Sequence, residues 1–180
     1  FEYISGSLKE VTFEVYALED IKAADGESED YYKKDDLIAT ITTDETGVAK
    51  LTDIPVGKYY VKEKETANGY VLDSTAREID LTYRDQDTAE VTYSSDWQNN
   101  RQKAEVKVLK KEKDSDRVLE GAVFALCNKE DIVNANGDVI LKADTVIEEQ
   151  ATDKEGKLTF TADLPIGYTY YVKETSPAPG

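Results

Sequence analysis

The chain repeats itself. Residues 11–21 (VTFEVYALEDI) and 122–132 (AVFALCNKEDI) run in step when aligned on Phe13 and Phe124, which stand 111 positions apart. The same offset pairs Leu8 with Leu119, Asp20-Ile21 with Asp131-Ile132, and Gly26 with Gly137. After a small deletion, TTDETG at 42–47 matches ATDKEG at 151–156, and IPVGKYYVKE at 54–63 matches LPIGYTYYVKE at 164–174. An ordered set of motifs that recurs in the same order marks one module duplicated. A length of 180 residues suits two small domains, each with a modest core. The boundary is expected near Asn100 to Ala104, giving a first module over 1–101 and a second over 102–180.

Each copy reads as short strands. Val11, Phe13 and Val15 alternate with Thr12, Glu14 and Tyr16, the two-residue period of a strand with one buried face. LIATITT, GVAKLTDI, GKYYVKEKE, AREIDLTY and AEVTYSSDW follow, rich in Val, Ile, Thr and Tyr. Asp44-Glu45-Thr46-Gly47 and Asp153-Lys154-Glu155-Gly156 predict tight turns in which glycine takes a positive φ. Segments 20–36 and 129–144 are polar and irregular, with a short helical turn possible in the first. The expected fold is all-β, two tandem antiparallel sandwiches.

Composition narrows the chemistry. Thirty-eight acidic against 22 basic residues give a formal charge of −16, which disfavours nucleic acid and anionic membrane surfaces as partners. There is no histidine, so the commonest general base and a frequent metal ligand are both missing. Cys127 is the one cysteine and lies in the apolar run AVFALC, where it reads as a small core residue, so neither an internal disulfide nor a cysteine-rich zinc site is expected. The oxygen-rich stretches 25–30 and 134–138 lack EF-hand spacing and read as turns. No cofactor and no metal are expected. No run approaches the ~20 apolar residues of a membrane-spanning helix. The chain opens at Phe1 without an initiator Met and stops at Gly180 within a Pro-rich turn, as expected of a piece of a longer protein.

Four side chains break the inside–outside alternation. Lys110 falls on the face of Val106 and Val108; Glu63 on that of Tyr59 and Val61; its repeat mate Glu174 on that of Tyr170 and Val172; and Asn99 on that of Val91, Tyr93 and Trp97. Groups aimed at a sandwich core are costly unless they meet partners. Burial drives an amine and a carboxyl group toward their neutral forms. A neutral amine facing an Asn carboxamide can displace ammonia with help from a protonated carboxyl group, leaving a Lys–Asn isopeptide bond. The alternative is a buried polar cluster satisfied by hydrogen bonds alone.

At these residues the chain resembles a known family. Lys110-x-Glu112, LEGAVFAL at 119–126, LPIG at 164–167 and YVKET at 171–175, repeated loosely in the first copy through TDETG at 43–47 and IPVGKYYVKE at 54–63, are similar to the collagen-adhesin B-type (SpaA-like, prealbumin-like) domains of Gram-positive pilins and surface adhesins. Ala67-Asn68-Gly69-Tyr70 matches the family's Ala-Pro-x-Gly-Tyr with the proline lost. The resemblance implies an immunoglobulin-like prealbumin sandwich in each copy. It also implies a Lys on the first strand joined to an Asn on the last, with a Glu promoting the bond. Lys110 falls on that lysine, with Lys111 one register away; Glu63 and Glu174 fall on the promoting carboxylates; and Asn99 falls on the acceptor, Asn100 having outward parity. Asn99 and Lys110 belong to different copies. The first copy's lysine would stand two positions ahead of Phe1 and the second copy's asparagine beyond Gly180, so the first copy lacks its opening strand and the second its closing strands. Trimming is the expectation; a strand supplied by a neighbouring chain is the alternative.

The implied function is a non-enzymatic stalk or spacer of an extracellular adhesin or pilus, cell-wall anchored through regions outside this sequence, with neighbouring domains of the same surface protein as partners. A module binding a host protein or glycan is the alternative, to be favoured by an exposed aromatic groove among the 12 tyrosines. An enzyme acting on paired carboxylates such as Glu63, Glu65 and Asp73 is disfavoured, because no nucleophile motif accompanies them.

Overall fold

A computed structural model describes residues 3, 6–87, 90–134 and 136–180. The described strands are all antiparallel in their pairing, and the described residues fall into two compact units: Ser7–Asn100, and Arg101–Gly180 together with Tyr3 and Gly6.

In the first unit β1 (Thr12–Ala17), β2 (Leu37–Thr42), β3 (Gly57–Glu65) and β4 (Arg77–Leu81) form one sheet in the order β2-β1-β3-β4. The alternation in β1 lands as read: Phe13, Val15 and Ala17 are buried, and with Val11, Ile21, Tyr59 and Val61 they form the core. Leu8, Ile41, Leu51, Ile79 and Trp97 pack around its margin.

The second unit holds β5 (Lys103–Ala104), β6 (Lys107–Leu109), β7 (Val123–Asn128), β8 (Ile132–Val133), β9 (Val139–Leu141), β10 (Val146–Ala151), β11 (Lys157–Thr159), β12 (Leu164–Pro165) and β13 (Tyr170–Ser176). Strands β10-β7-β13 form one sheet, while β11 pairs with β6 and β12 with β5. Leu126, Leu158, Phe160 and Leu164 make the core, with Val106 and Val108 packed against it.

The duplication extends to individual hydrogen bonds. The Thr43 hydroxyl donates to the Leu8 carbonyl at 2.8 Å and accepts the Val11 N–H at 2.9 Å. Thr152 does the same with Leu119 at 2.7 Å and Ala122 at 3.1 Å. Tyr59 and Tyr170 donate to the carbonyls of Pro55 and Pro165, and burial pushes both phenols up to about 12. Tyr60 reaches Asp35 at 2.9 Å, as Tyr171 reaches Asp144 at 3.0 Å. The glycine turns match too: Gly47 and Gly156 have φ of 79° and 71°. A Cβ on Gly156 would lie 2.7 Å from the Lys110 carbonyl oxygen, so this turn needs glycine for space as well as for φ.

Three expectations need correction. Segment 47–54 forms no strand, although its repeat equivalent contributes β11. The difference is a partner: β11 pairs with β6, whereas 47–54 has no such neighbour among the described residues. The described part of 89–97 likewise carries no strand assignment, and Ala89 lies outside the described residues. Segment 129–144, read as irregular, contains the β8–β9 hairpin; segment 20–36 carries an isolated bridge between Ile21 and Tyr32, and no helix is assigned among its residues.

The Thr43 and Thr152 contacts predict module-specific losses. Thr43→Val and Thr152→Val each leave a buried N–H and a carbonyl unanswered, at about 1–3 kcal/mol. Hydrogen exchange should show each substitution loosening its own unit, Thr43→Val on β1–β3 and Thr152→Val on β7 and β10.

Candidate functional site

Strand β3 carries Glu63 inward. Along it Tyr59, Val61 and Glu63 are buried while Lys62 and Lys64 are exposed, so strand geometry places a carboxylate in line with the core. Glu63 is only 2% exposed, and its cross-strand partner on β1 is Phe13. The carboxylate is answered by Asn99, whose Nδ2 lies 2.7 Å from Oε1 and 2.9 Å from Oε2. The Asp73 N–H adds a longer contact of 3.4 Å.

A short segment brackets this pair. The Val71 carbonyl accepts from Asn99 Nδ2 at 3.2 Å, and the Val71 N–H donates to the Asn100 carbonyl at 2.7 Å. Residues 71–73 therefore touch the carboxylate and the carboxamide together. Two residues before Asn99, Trp97 meets Phe13 edge to face at 4.9 Å between centroids.

The second unit presents the complementary half. Lys110 follows β6, its N–H bonded to the Gly156 carbonyl at 2.8 Å and its carbonyl to the Leu119 N–H at 3.0 Å. Its Nζ lies 2.9 Å from Glu174 Oε2. Lys111, one register away, pairs instead with exposed Asp116 at 3.3 Å. The Lys110 and Glu174 side chains are 28% and 32% exposed, in contrast to Glu63. The difference is cover: Asn99 and the Asp73 N–H lie against Glu63, contacts for which Glu174 has no counterpart among the described residues.

Asn99 and Lys110 lie in different units, and each meets a carboxylate of its own unit. Glu63 and Glu174 are repeat mates, so the same carboxylate position of the module meets an amide in the first copy and an amine in the second. The 71–73 bracket was missed by sequence reasoning, because it acts through main-chain groups that leave no residue signature. Among the described residues no group of three or more His, Cys, Asp or Glu is arranged to hold a metal ion.

Comparison with known proteins agrees with this architecture. A family model described as the SpaA prealbumin-like fold domain matches twice, at residues 4–97 and 104–180, and the chain belongs to that family. Among solved structures it is similar to the Bacillus anthracis TIE protein, with 28% identity and a TM-score of 0.65 over 97% of this chain and 26% of that one. Weaker likenesses are to a mutant of the shaft pilin SpaA from Lactobacillus rhamnosus GG (20% identity, TM-score 0.36, covering 96% of this chain and 77% of that one) and a streptococcal ancillary pilin (20%, 0.32, 98% and 53%). The chain thus spans about a quarter of the TIE protein's length. No curated protein matches it.

The two half-sites should differ in energetic weight. Asn99→Ala strips a buried carboxylate of its main donor and is expected to destabilise the first unit by about 1–3 kcal/mol. Glu174→Ala removes a partly exposed ion pair and should change the second unit by no more than about 1 kcal/mol. Denaturant unfolding followed by hydrogen exchange separates the two.

Proposed function

We propose that the chain is a length of a structural stalk or spacer in a bacterial surface adhesin or pilus, each module of which closes itself with a Lys–Asn isopeptide bond. The observation that carries this reading is the buried Glu63 holding the Asn99 carboxamide, while the same carboxylate position in the other copy holds the Lys110 amine. Membership of the SpaA domain family supports it.

The chemistry is self-contained. The neutral lysine amine attacks Cγ of the asparagine, forming the new C–N bond. Glu63 in its protonated form supplies a proton to the departing nitrogen and recovers one from the attacking amine, so the Cγ–Nδ2 bond breaks and ammonia leaves. Glu63 lies against Nδ2, the atom that must depart. No oxidant or cofactor enters the balance. The lysine that would meet Asn99 has its repeat position two residues ahead of Phe1, and the asparagine for Lys110 has its position past Gly180. The step occurs once per module and is self-modification, not turnover on an outside substrate.

A covalent tie between first and last strands lets a pulling force run through the bond instead of the hydrogen-bond ladder. It also restricts the unfolded chain as a disulfide does, without an oxidising compartment. The acidic surface suits an extracellular rod among crowded neighbours, with adjoining domains of the same protein as partners. Binding of a host protein or glycan has less support, since Tyr59 is buried and Tyr60 stacks on Tyr16 at 5.1 Å, so the strand tyrosines pack against the protein itself.

The test uses this chain's own strand. A copy of Ala104–Lys111 placed ahead of Phe1 puts a lysine at the required position. The extended chain should weigh one ammonia less than its sequence, with tandem spectra joining the added lysine to Asn99. Glu63→Ala should slow the loss by roughly 100-fold or more. An unshifted mass in the folded extended chain would refute the reading.

A further inference from the structure

The stretch 90–99 delivers Asn99 to Glu63, yet it has no strand pairing among the described residues. A segment without a ladder needs other anchors, and most of those before Asn99 converge on one side chain. Arg77, at the start of β4, donates from Nη1 to the Asp96 carbonyl at 2.7 Å and to the Ser95 hydroxyl at 3.1 Å. Its guanidinium carbon lies 3.8 Å from the centroid of the Trp97 ring. The same indole rests its edge relation on Phe13, the cross-strand partner of Glu63. Arg77 thus grips three consecutive residues, Ser95, Asp96 and Trp97, two positions short of Asn99.

We infer that Arg77 is a positioning residue that sets the Asn99 carboxamide against the Glu63 carboxylate. The inference rests on the isopeptide reading of that pair. Arg77 touches neither reacting group; it fixes the main chain at Asp96 and the ring at Trp97, and the carboxamide two residues on inherits that placement. The planar fork explains why arginine stands here. A guanidinium can stack on an indole face while its edge donates to a carbonyl, whereas a lysine ammonium is a point charge that cannot do both. Val71 holds the far side of Asn99 through main-chain bonds, so the carboxamide is gripped from both directions.

Two readouts test this, and one needs no bond. In the present chain the two Asn99 side-chain N–H signals should be resolved and slow to exchange with water. Arg77→Gln and Arg77→Lys should both bring them to solvent-like exchange while the amide spectrum of β1–β3 persists. In the chain extended by the Ala104–Lys111 copy, both substitutions should slow ammonia loss at least tenfold at a temperature where the protein is fully folded. A merely structural charge would be rescued by lysine, and a mere loss of stability would leave the rate in the folded protein unchanged. Parent-like Asn99 exchange in either folded variant, or a parent-like rate in both, would overturn the assignment. Failure of the extended parent to lose ammonia would instead remove the isopeptide reading, and the Asn99 signals would then decide the role of Arg77 by themselves.

Discussion

A carboxylate buried to 2% exposure must be answered, and in the first unit much else is arranged around the answer to Glu63. Strand β3 aims it inward because Tyr59 and Val61 share its face, and β1 covers it with Phe13. Left alone, such a group would be strongly destabilising or would lose its charge. The Asn99 carboxamide supplies two close contacts and the Asp73 N–H a third. To bring Asn99 there, the protein recruits the Val71 main chain, the Trp97 ring and the Arg77 guanidinium. The same contact that stabilises the fold sets the Asn99 Nδ2 against a carboxyl group, the arrangement on which the proposed cross-link draws.

The second constraint is that a strand exists only beside a partner. Residues 47–54 and their equivalents around β11 share a turn, a glycine and similar composition. Only the latter form a strand, because β6 lies beside them, ending at Leu109 one residue before Lys110. The strand that leads into Lys110 thus organises one copy, and its equivalent position in the other copy is where the proposed cross-link would need a lysine. That link between ladder and chemistry connects the fold to the proposed cross-link.

Much of this was legible in the residues. Alternation placed β1, and strand-forming composition placed β2, β3 and β4, each to within a few residues, and the repeat revealed the second unit from the first. Parity singled out Glu63, Asn99 and Lys110, because a polar residue on an apolar face is conspicuous at period two. The same reasoning overreached at 47–54, since pattern reports the capacity to form a strand and not the presence of a neighbour. It also placed Glu174 inward, where the structure leaves it exposed, with no counterpart among the described residues to the Asn99 and Asp73 contacts that cover Glu63. The β8–β9 hairpin escaped because strands of two and three residues are too short to show a period. Arg77 reads in the sequence as an ordinary strand-start charge; its contacts with Asp96 and Trp97 depend on a segment whose path no pattern predicts.

Force applied along the chain tests the central claim most directly. With a lysine strand ahead of Phe1, single-molecule pulling of the extended protein should show no length gain from the first unit, because the tie to Asn99 bypasses nearly all of it. The Glu63→Ala version should instead release a length on the order of 300 Å when that unit unfolds, at ~3.3–3.6 Å per residue. Equal length gains in the two proteins would contradict the account.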